Sequence, residues 1–345
     1  MNEGLFPQQY GAPMRPYRTR YSYGQGTSRV DGEALVFGIT DTTTSTFSAR
    51  GYSGAMAYNV CDLVIQVPLS VTHKYDQLSA VAFGAIITTI PDGTSKGGNA
   101  RGICAVDFQS YRQFAPQVAS GAFSVIAGGA WNTASGPYTF VAGGGSSATN
   151  TGSIAIGWGC TSSGIWGVAI GIGATATQYG SVALGAFPND NGVQRTMTFA
   201  GSLRAASGDR NIRQAIPQSA VTTNDTATVL TTDAGAAGVV DATNTWALPN
   251  NRAAVFTGYV IARNTTSSEV AAWKLEGVMR RAASAATTAF VGTPTITQIS
   301  ADAAMAACTL TAAVNTTDGA LRLTATGLAA TTIAWNGTLY GPEVG

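Results

Sequence analysis

Charge is what this sequence has least of. Asp, Glu, Lys and Arg make up 11% of its 345 residues, against roughly 25% in an ordinary soluble domain. The 19 cations and 18 anions leave a net charge of +1, so no field favours nucleic acid or an anionic membrane. One histidine, His73, and four dispersed cysteines, Cys61, Cys104, Cys160 and Cys308, supply no metal-ligand spacing, and neither a metal nor a cofactor is expected. The thiols read as buried and reduced in a protein made in a reducing cytoplasm. No run of about 18 apolar residues is present. Residues 1–10 are polar, without the charged-then-apolar order of a signal peptide, so neither membrane insertion nor export is expected.

What the sequence does have is glycine, 42 residues of it, at a mean hydropathy of +0.13. Glycine here accompanies Ala, Ser, Thr and Val, which points to β-structure with many tight turns rather than to a disordered linker. Five segments repeat: Ser124-Val-Ile-Ala-Gly128, Thr139-Phe-Val-Ala-Gly143, Ser153-Ile-Ala-Ile-Gly157, Gly167-Val-Ala-Ile-Gly171 and Ser181-Val-Ala-Leu-Gly185. Their closing glycines stand 15, 14, 14 and 14 residues apart, and Ala134-Ser135-Gly136 and Ser162-Ser163-Gly164 fall half a period away. The period reads as a β-rung of two short strands with glycine at the corners. In Ser153-Ile-Ala-Ile-Gly157, alternation separates Ile154 and Ile156 from Ser153 and Ala155, and the expectation is that stacked Val and Ile columns form the core. At about 4.8 Å per rung the repeats would build a stem roughly 24 Å long. Between Phe108 and Asn189 there is no Asp or Glu, and Arg112 is the one charged side chain. A slender surface of that kind is expected to be shared among copies, as a homotrimer.

The Ser-x-Ala-x-Gly rungs, as in Gly152-Ser-Ile-Ala-Ile-Gly157 and Gly180-Ser-Val-Ala-Leu-Gly185, resemble the heads of trimeric autotransporter adhesins. The flanks Gly97-Gly-Asn-Ala-Arg101, Ala105-Val-Asp-Phe-Gln109 and Gln117-Val-Ala-Ser-Gly121 are similar to phage tail fibre proteins with that repeat. So are Ala247-Leu-Pro-Asn-Asn251, Gly258-Tyr-Val-Ile-Ala-Arg263 and Ala272-Trp-Lys-Leu-Glu276. The resemblance covers the chain from about Gly97 onward. It implies an all-β protein, a repetitive left-handed parallel β-roll or β-helix stem followed by a C-terminal antiparallel β-sandwich, homotrimeric. It further implies a place in the virion, on the phage tail, with synthesis in the host cytoplasm.

Five segments follow. Residues 1–30 read as an extended virion-attachment arm in which Tyr10, Arg15, Tyr17, Arg18, Arg20, Tyr21 and Tyr23 are interface anchors for another tail or baseplate protein. Residues 31–107 read as a small β-domain, with Val64-Ile-Gln-Val-Pro-Leu69 and Ala85-Ile-Ile-Thr-Thr-Ile90 as strands. Residues 108–190 are the repeats. Residues 191–217, with Arg195, Arg204, Arg210 and Arg213, are similar to the basic neck that pins three adhesin chains together. Residues 218–345 read as the sandwich tip, with Asn315-Thr-Thr-Asp-Gly319 closing a hairpin. Its loops are the candidate receptor contacts: Asn250, Asn251 and Arg252; Asn264, Thr265, Thr266, Ser267 and Ser268; Thr316, Thr317 and Asp318. Trp246, Trp273 and Trp335 are assigned to the core rather than to sugar platforms.

Two catalytic look-alikes dissolve on inspection. Gly171-Ile-Gly-Ala-Thr-Ala176, with Asp190 about 20 residues on, has dinucleotide spacing but runs into another rung instead of a helix. Gly93-Thr-Ser-Lys-Gly97 matches a hydrolase elbow, yet the single histidine precedes it. Glycoside cleavage needs two carboxyls astride one bond, and the rungs have none. Asp225, Asp233, Asp241, Glu269, Glu276, Asp302, Asp318 and Glu343 remain towards the C-terminus. The expectation is a non-enzymatic tail fibre or spike, bound to the virion by its N-terminal part and to a host-surface polysaccharide or outer-membrane receptor by its C-terminal part. The alternatives are a decoration fibre without a receptor, a polysaccharide-degrading tailspike, and a bacterial surface adhesin.

Overall fold

The computed structural model describes residues 17–23, 30–36, 64–65, 86–87, 91–109, 111–201, 208–235 and 239–345. Among these the chain is β-structure with two short 3-10 turns and no α-helix, as glycine-rich alternating segments dictate. Its middle is a β-solenoid. The long strands Val125–Ala130, Phe140–Gly144, Ile154–Trp158, Val168–Ile172, Val182–Ala186 and Met197–Ala200 pair in parallel, each with the next. On the other side Thr133–Ala134, Ser147–Ala148, Thr161–Ser162 and Thr175–Ala176 form a second parallel ladder. Two strands per rung is the expected arrangement.

Which way the strands face is the reverse of the expectation. Ala155, Ala169 and Ala183 are 0% exposed and form the interior column with Ile126 and Val141. The Ile, Val and Leu side chains between them point outward: Ile154, Ile156, Val168, Val182 and Leu184 are half-buried, and Ile170 is 36% exposed. The interior is too narrow for branched side chains in every rung. The motif serine faces inward because its hydroxyl closes the preceding corner: Ser124, Thr139, Ser153 and Ser181 each donate to the carbonyl three residues back, at 2.7, 2.9, 2.7 and 2.9 Å.

The irregular first spacing has a local cause. Gly129, not Gly128, pairs with Gly143, so the glycine column Gly129, Gly143, Gly157, Gly171 and Gly185 has a constant period, and Gly128 is the extra residue of a bulge. The ladder also outruns the repeats. Val106–Asp107 pairs in parallel with the first long strand and Met197–Ala200 with the last, so the rungs extend beyond 108–190 at both ends. The lower end is held by a buried triad in which Asp107 accepts from Arg101 Nε at 2.8 Å and from Arg112 at 3.0 Å. The single charged side chain of the repeats is therefore inside the protein.

After the last rung the sheet continues in antiparallel fashion through Ile212–Thr222, Ile333–Val344, Arg252–Asn264, Val270–Arg281 and Thr295–Ala301. A second antiparallel sheet contains Thr228–Leu230, Trp246–Ala247, Thr309–Asn315 and Ala320–Thr326. Trp273, Trp335, Phe256 and Leu275 of the first share one core with Trp246, Leu310, Leu321 and Leu323 of the second, and Trp273 stacks on Trp335 at 5.2 Å. All three tryptophans are buried, as assigned.

The 191–217 segment is not a free linker among its described residues. Arg195 donates to Thr232 O at 3.0 Å and lies over the Tyr179 ring. Arg213 is fully buried against Glu343. Arg204 lies outside the described residues. Tyr17–Tyr23 pairs with Val30–Val36 across the boundary drawn at residue 30, and Val64–Ile65 pairs with Ile86–Ile87. Of the cysteines, Cys160 and Cys308 are buried and Cys104 is exposed, against the expectation for that residue. Burial pushes the Cys308 thiol up from its ordinary value. Iodoacetamide at neutral pH is expected to spare Cys308 in the folded chain and to label it in denaturant, read by peptide mass. Rapid native labelling would contradict the packing around it.

Candidate functional site

The predicted receptor loops do not meet at one place. Asn264 ends the strand that Arg252 begins, and twelve residues of strand separate them by about 40 Å. The loop with Thr316, Thr317 and Asp318 sits beside Asn250, Asn251 and Arg252, because Leu248 N donates to Gly319 O at 3.0 Å and Arg281 reaches both Leu248 O and Asp318 O. This pair adjoins the last rung, where Glu343 N donates to Asn211 O at 2.8 Å. Thr265, Thr266, Ser267 and Ser268 lie at the other end of the sheet, and all four are exposed.

Both loops use the same local chemistry. Asn264 Oδ1 accepts from Thr266 N at 2.9 Å and Ser267 N at 3.3 Å, and Ser268 closes the turn at φ +68°. Asn315 Oδ1 accepts from Thr317 N at 2.8 Å and Asp318 N at 2.9 Å, and Gly319 closes at φ +72°. The hairpin expected at 315–319 is formed. Asp318 is engaged by Arg322 and Ser267 by Glu269. Of the attachment residues, Tyr17, Arg18, Arg20, Tyr21 and Tyr23 fall on the first described strand. Tyr10 and Arg15 lie outside the described residues.

Two surfaces that sequence reasoning missed are more continuous than these loops. One is the outward face of the long solenoid strands, an apolar sheet in which Phe140, Ile154, Val168, Val182 and Met197 stand in register. The other is a shallow groove of about 350 Å³ on the outer face of the larger C-terminal sheet, lined by Tyr259, Ile261, Ile299, Asn336 and Tyr340. Alternation on the paired strands could have located the groove only with the register known. Lys274 and Glu276 pair at 2.9 Å on the neighbouring strand, and the hydrogen bond to Glu276 raises the Lys274 ammonium above its ordinary value.

Of the C-terminal carboxylates, Asp302 Oδ2 accepts from Val270 N at 2.8 Å, beside Glu269. Glu269 and Glu276 are seven residues apart along one extended stretch, about 24 Å, well beyond the roughly 5–9.5 Å that glycoside cleavage uses. Asp190 is buried inside the upper rung and accepts from Gln178 N at 2.8 Å and Thr177 Oγ1 at 2.9 Å, and the one Ser181 hydroxyl proton is shared between Asp190 Oδ2 at 2.7 Å and Gln178 O. It tethers a corner, which accounts for its place in the dinucleotide look-alike. Gly93-Thr-Ser-Lys-Gly97 is a turn on Asp92, whose Oδ1 accepts from Thr94 N at 2.8 Å and Gly97 N at 3.0 Å. Those hydrogen bonds, with the Thr94 backbone first, hold the Asp92 carboxyl below its usual value.

No family model matches the chain, and no curated protein matches it. Among solved structures it is similar to a tailspike protein of Acinetobacter baumannii bacteriophage Fri1, described as a capsular polysaccharide depolymerase, at 11% identity and a TM-score of 0.22 over 74% of this chain and 44% of that one. It is also similar to the tailspike of Acinetobacter baumannii phage AM24, at 10% identity and a TM-score of 0.19 over 74% of this chain and 51% of that one. The tailspike of Acinetobacter phage vB_ApiP_P1 follows at 11% and 0.18, over 64% of this chain and 51% of that one. The chain thus spans about half the length of these structures. The expectation that the chain is not an enzyme is corrected by this finding, since the first of them is described as a depolymerase. Similarity at this level matches no residue of one protein to a residue of another.

Proposed function

We propose that the chain is a tail fibre or tailspike protein of a phage virion, in which three copies assemble side by side and the C-terminal two-sheet unit, read as a sandwich tip, engages a saccharide on the host surface. The observation that carries this reading is the outward long face of the solenoid. It is apolar in register across consecutive rungs, and the one charged side chain of the repeats, Arg112, is buried. A single chain in water would expose this face, and three equivalent copies would cover it. Three copies also present three tips to a repetitive surface, so weak sites add by avidity. The groove at Tyr259 and Tyr340 supports saccharide contact, because aromatic rings beside an amide such as Asn336 suit the mixed C–H and hydroxyl faces of a sugar. The N-terminal part supplies the virion contact in this reading, and the adhesin-head likeness of the rungs belongs to it as well.

The test begins with light scattering on the purified chain, where three times 35.2 kDa is expected. Ile170→Asp places a charge in the middle of the apolar face and is expected to yield monomers that remain folded by circular dichroism. A monomeric wild type would remove the stem argument. Binding to encapsulated and capsule-free bacteria, with reducing-sugar release measured alongside, then separates holding a polysaccharide from cutting it. A trimer that binds no cell would instead be a decoration fibre.

A further inference from the structure

We propose that one edge of the solenoid is a second saccharide platform, built from Phe123, Tyr138, Trp166 and Tyr179 and running along the stem; it rests on the glycan-binding reading above but not on the groove. The residue two places before each long strand turns the chain in the left-handed region in every rung: Cys104 (φ +54°), Phe123 (+57°), Tyr138 (+59°), Gly152 (+65°), Trp166 (+58°), Gly180 (+62°) and Arg195 (+56°). Glycine adopts this conformation without strain, and Gly152 and Gly180 show that the rung accepts it. A bulky side chain is a rarity there and is held against its own backbone preference. The opposite corner of the long face mixes the two in the same way, with glycine at 145, 159 and 173 and aromatic residues at Trp131 (φ +61°) and Phe187 (+60°). Folding therefore does not ask for aromatic rings on this edge.

The rings are also not hidden. Phe123 is 47%, Tyr138 59% and Trp166 54% exposed. Phe123 and Tyr138 stack with centroids 5.3 Å apart and planes within 2°. Trp166 lies against Gly152, where an added Cβ would fall 2.2 Å from the ring. Covering that glycine accounts for one side of one ring and for none of the others. Arg195, over the Tyr179 ring at 5.1 Å, ends the row. Apart from Arg195 no charge stands on the edge, so its ligand is recognised by stacking and hydrogen bonding. A rung advances about 4.8 Å, close to one pyranose unit of an extended chain. Rings at Tyr138 and Trp166 stand two rungs apart with Gly152 between them, a row that a linear saccharide can follow, and this commits the edge to such a chain.

The experiment uses full-length protein and three linear probes, maltohexaose, cellohexaose and chitohexaose, titrated by calorimetry and by the emission of the exposed tryptophans. Tyr138→Gly with Trp166→Gly restores the residue that neighbouring rungs use, so the oligomer mass and melting temperature are expected to hold. Affinity for the probe that binds is expected to fall about tenfold. Tyr259→Ala in the groove serves as the comparison. Loss of affinity in Tyr259→Ala alone would overturn the platform and leave the glycan-binding reading intact. A lowered melting temperature with unchanged affinity would reduce the rings to covers for glycine. Monomers in the double variant would make the edge a contact between copies, and a wild type that binds none of the probes would overturn both readings.

Discussion

Gly157→Ala is expected to disrupt the solenoid, at a cost above about 4 kcal/mol. Two penalties coincide at this position. Its φ is +127°, outside the range of any residue with a Cβ, and that Cβ would lie 1.8 Å from Gly171 O and 2.8 Å from Gly171 C in the next rung. Neither atom can move freely, because Gly171 is paired in the parallel ladder with the rungs on both sides. Gly159→Ala, two residues on, is the control. Gly159 has φ +64° with nothing within 4 Å of its missing Cβ, so the substitution carries only the left-handed penalty of about 1 kcal/mol. Melting curves of the two variants should differ widely. Equal losses would mean that rung contact is not what selects glycine in the column.

The second large effect lies where the solenoid meets the C-terminal sheets. Glu343 is buried and engaged by three groups: the Arg213 guanidinium, Trp246 Nε1 at 2.8 Å and Asn191 Nδ2 at 2.9 Å. Arg213 also donates to Asp190 O at 3.1 Å, so one ion pair ties the last rung, the final strand and the second sheet together. Arg213→Met leaves a carboxylate inside the protein without its cation and is expected to cost about 3–5 kcal/mol. Adding Glu343→Leu should recover most of that loss, since the pair's attraction largely offsets its own desolvation. Denaturant midpoints of the two single variants and the double variant provide the measurement. A double variant no more stable than Arg213→Met would mean that Glu343 is held chiefly by Trp246 and Asn191.

The alternation in Ser153-Ile-Ala-Ile-Gly157 identified two faces and could not say which was inside. Hydrophobicity alone assigned the isoleucines to the core. The width of the rung decided otherwise, since the interior column holds alanine at 155, 169 and 183 and has room for a branched side chain only at Ile126 and Val141. The same limit hid the candidate sites. Asn250 and Asn264 each follow or end a strand and look alike in sequence, but they stand at opposite ends of Arg252–Asn264. Trp158 and Trp166 sit in rungs where aligned positions hold glycine. That mismatch was visible in the sequence once the register was known.

What the sequence determined by itself was the class and the grammar: little charge, a glycine recurring every 14 or 15 residues, two short strands per rung, and a hairpin closed by Asn315-Thr-Thr-Asp-Gly319. These follow from backbone rules that act over a few residues, φ > 0 at corners, period-two alternation and side-chain oxygens on nearby amides. Facing, register and the meeting of distant segments were decided only by the tertiary structure. Arg213 and Glu343 are 130 residues apart, and the outward turn of Ile170 depends on the rungs above and below it. Such choices are set by packing volume and by pairing over long separations, which local sequence does not encode.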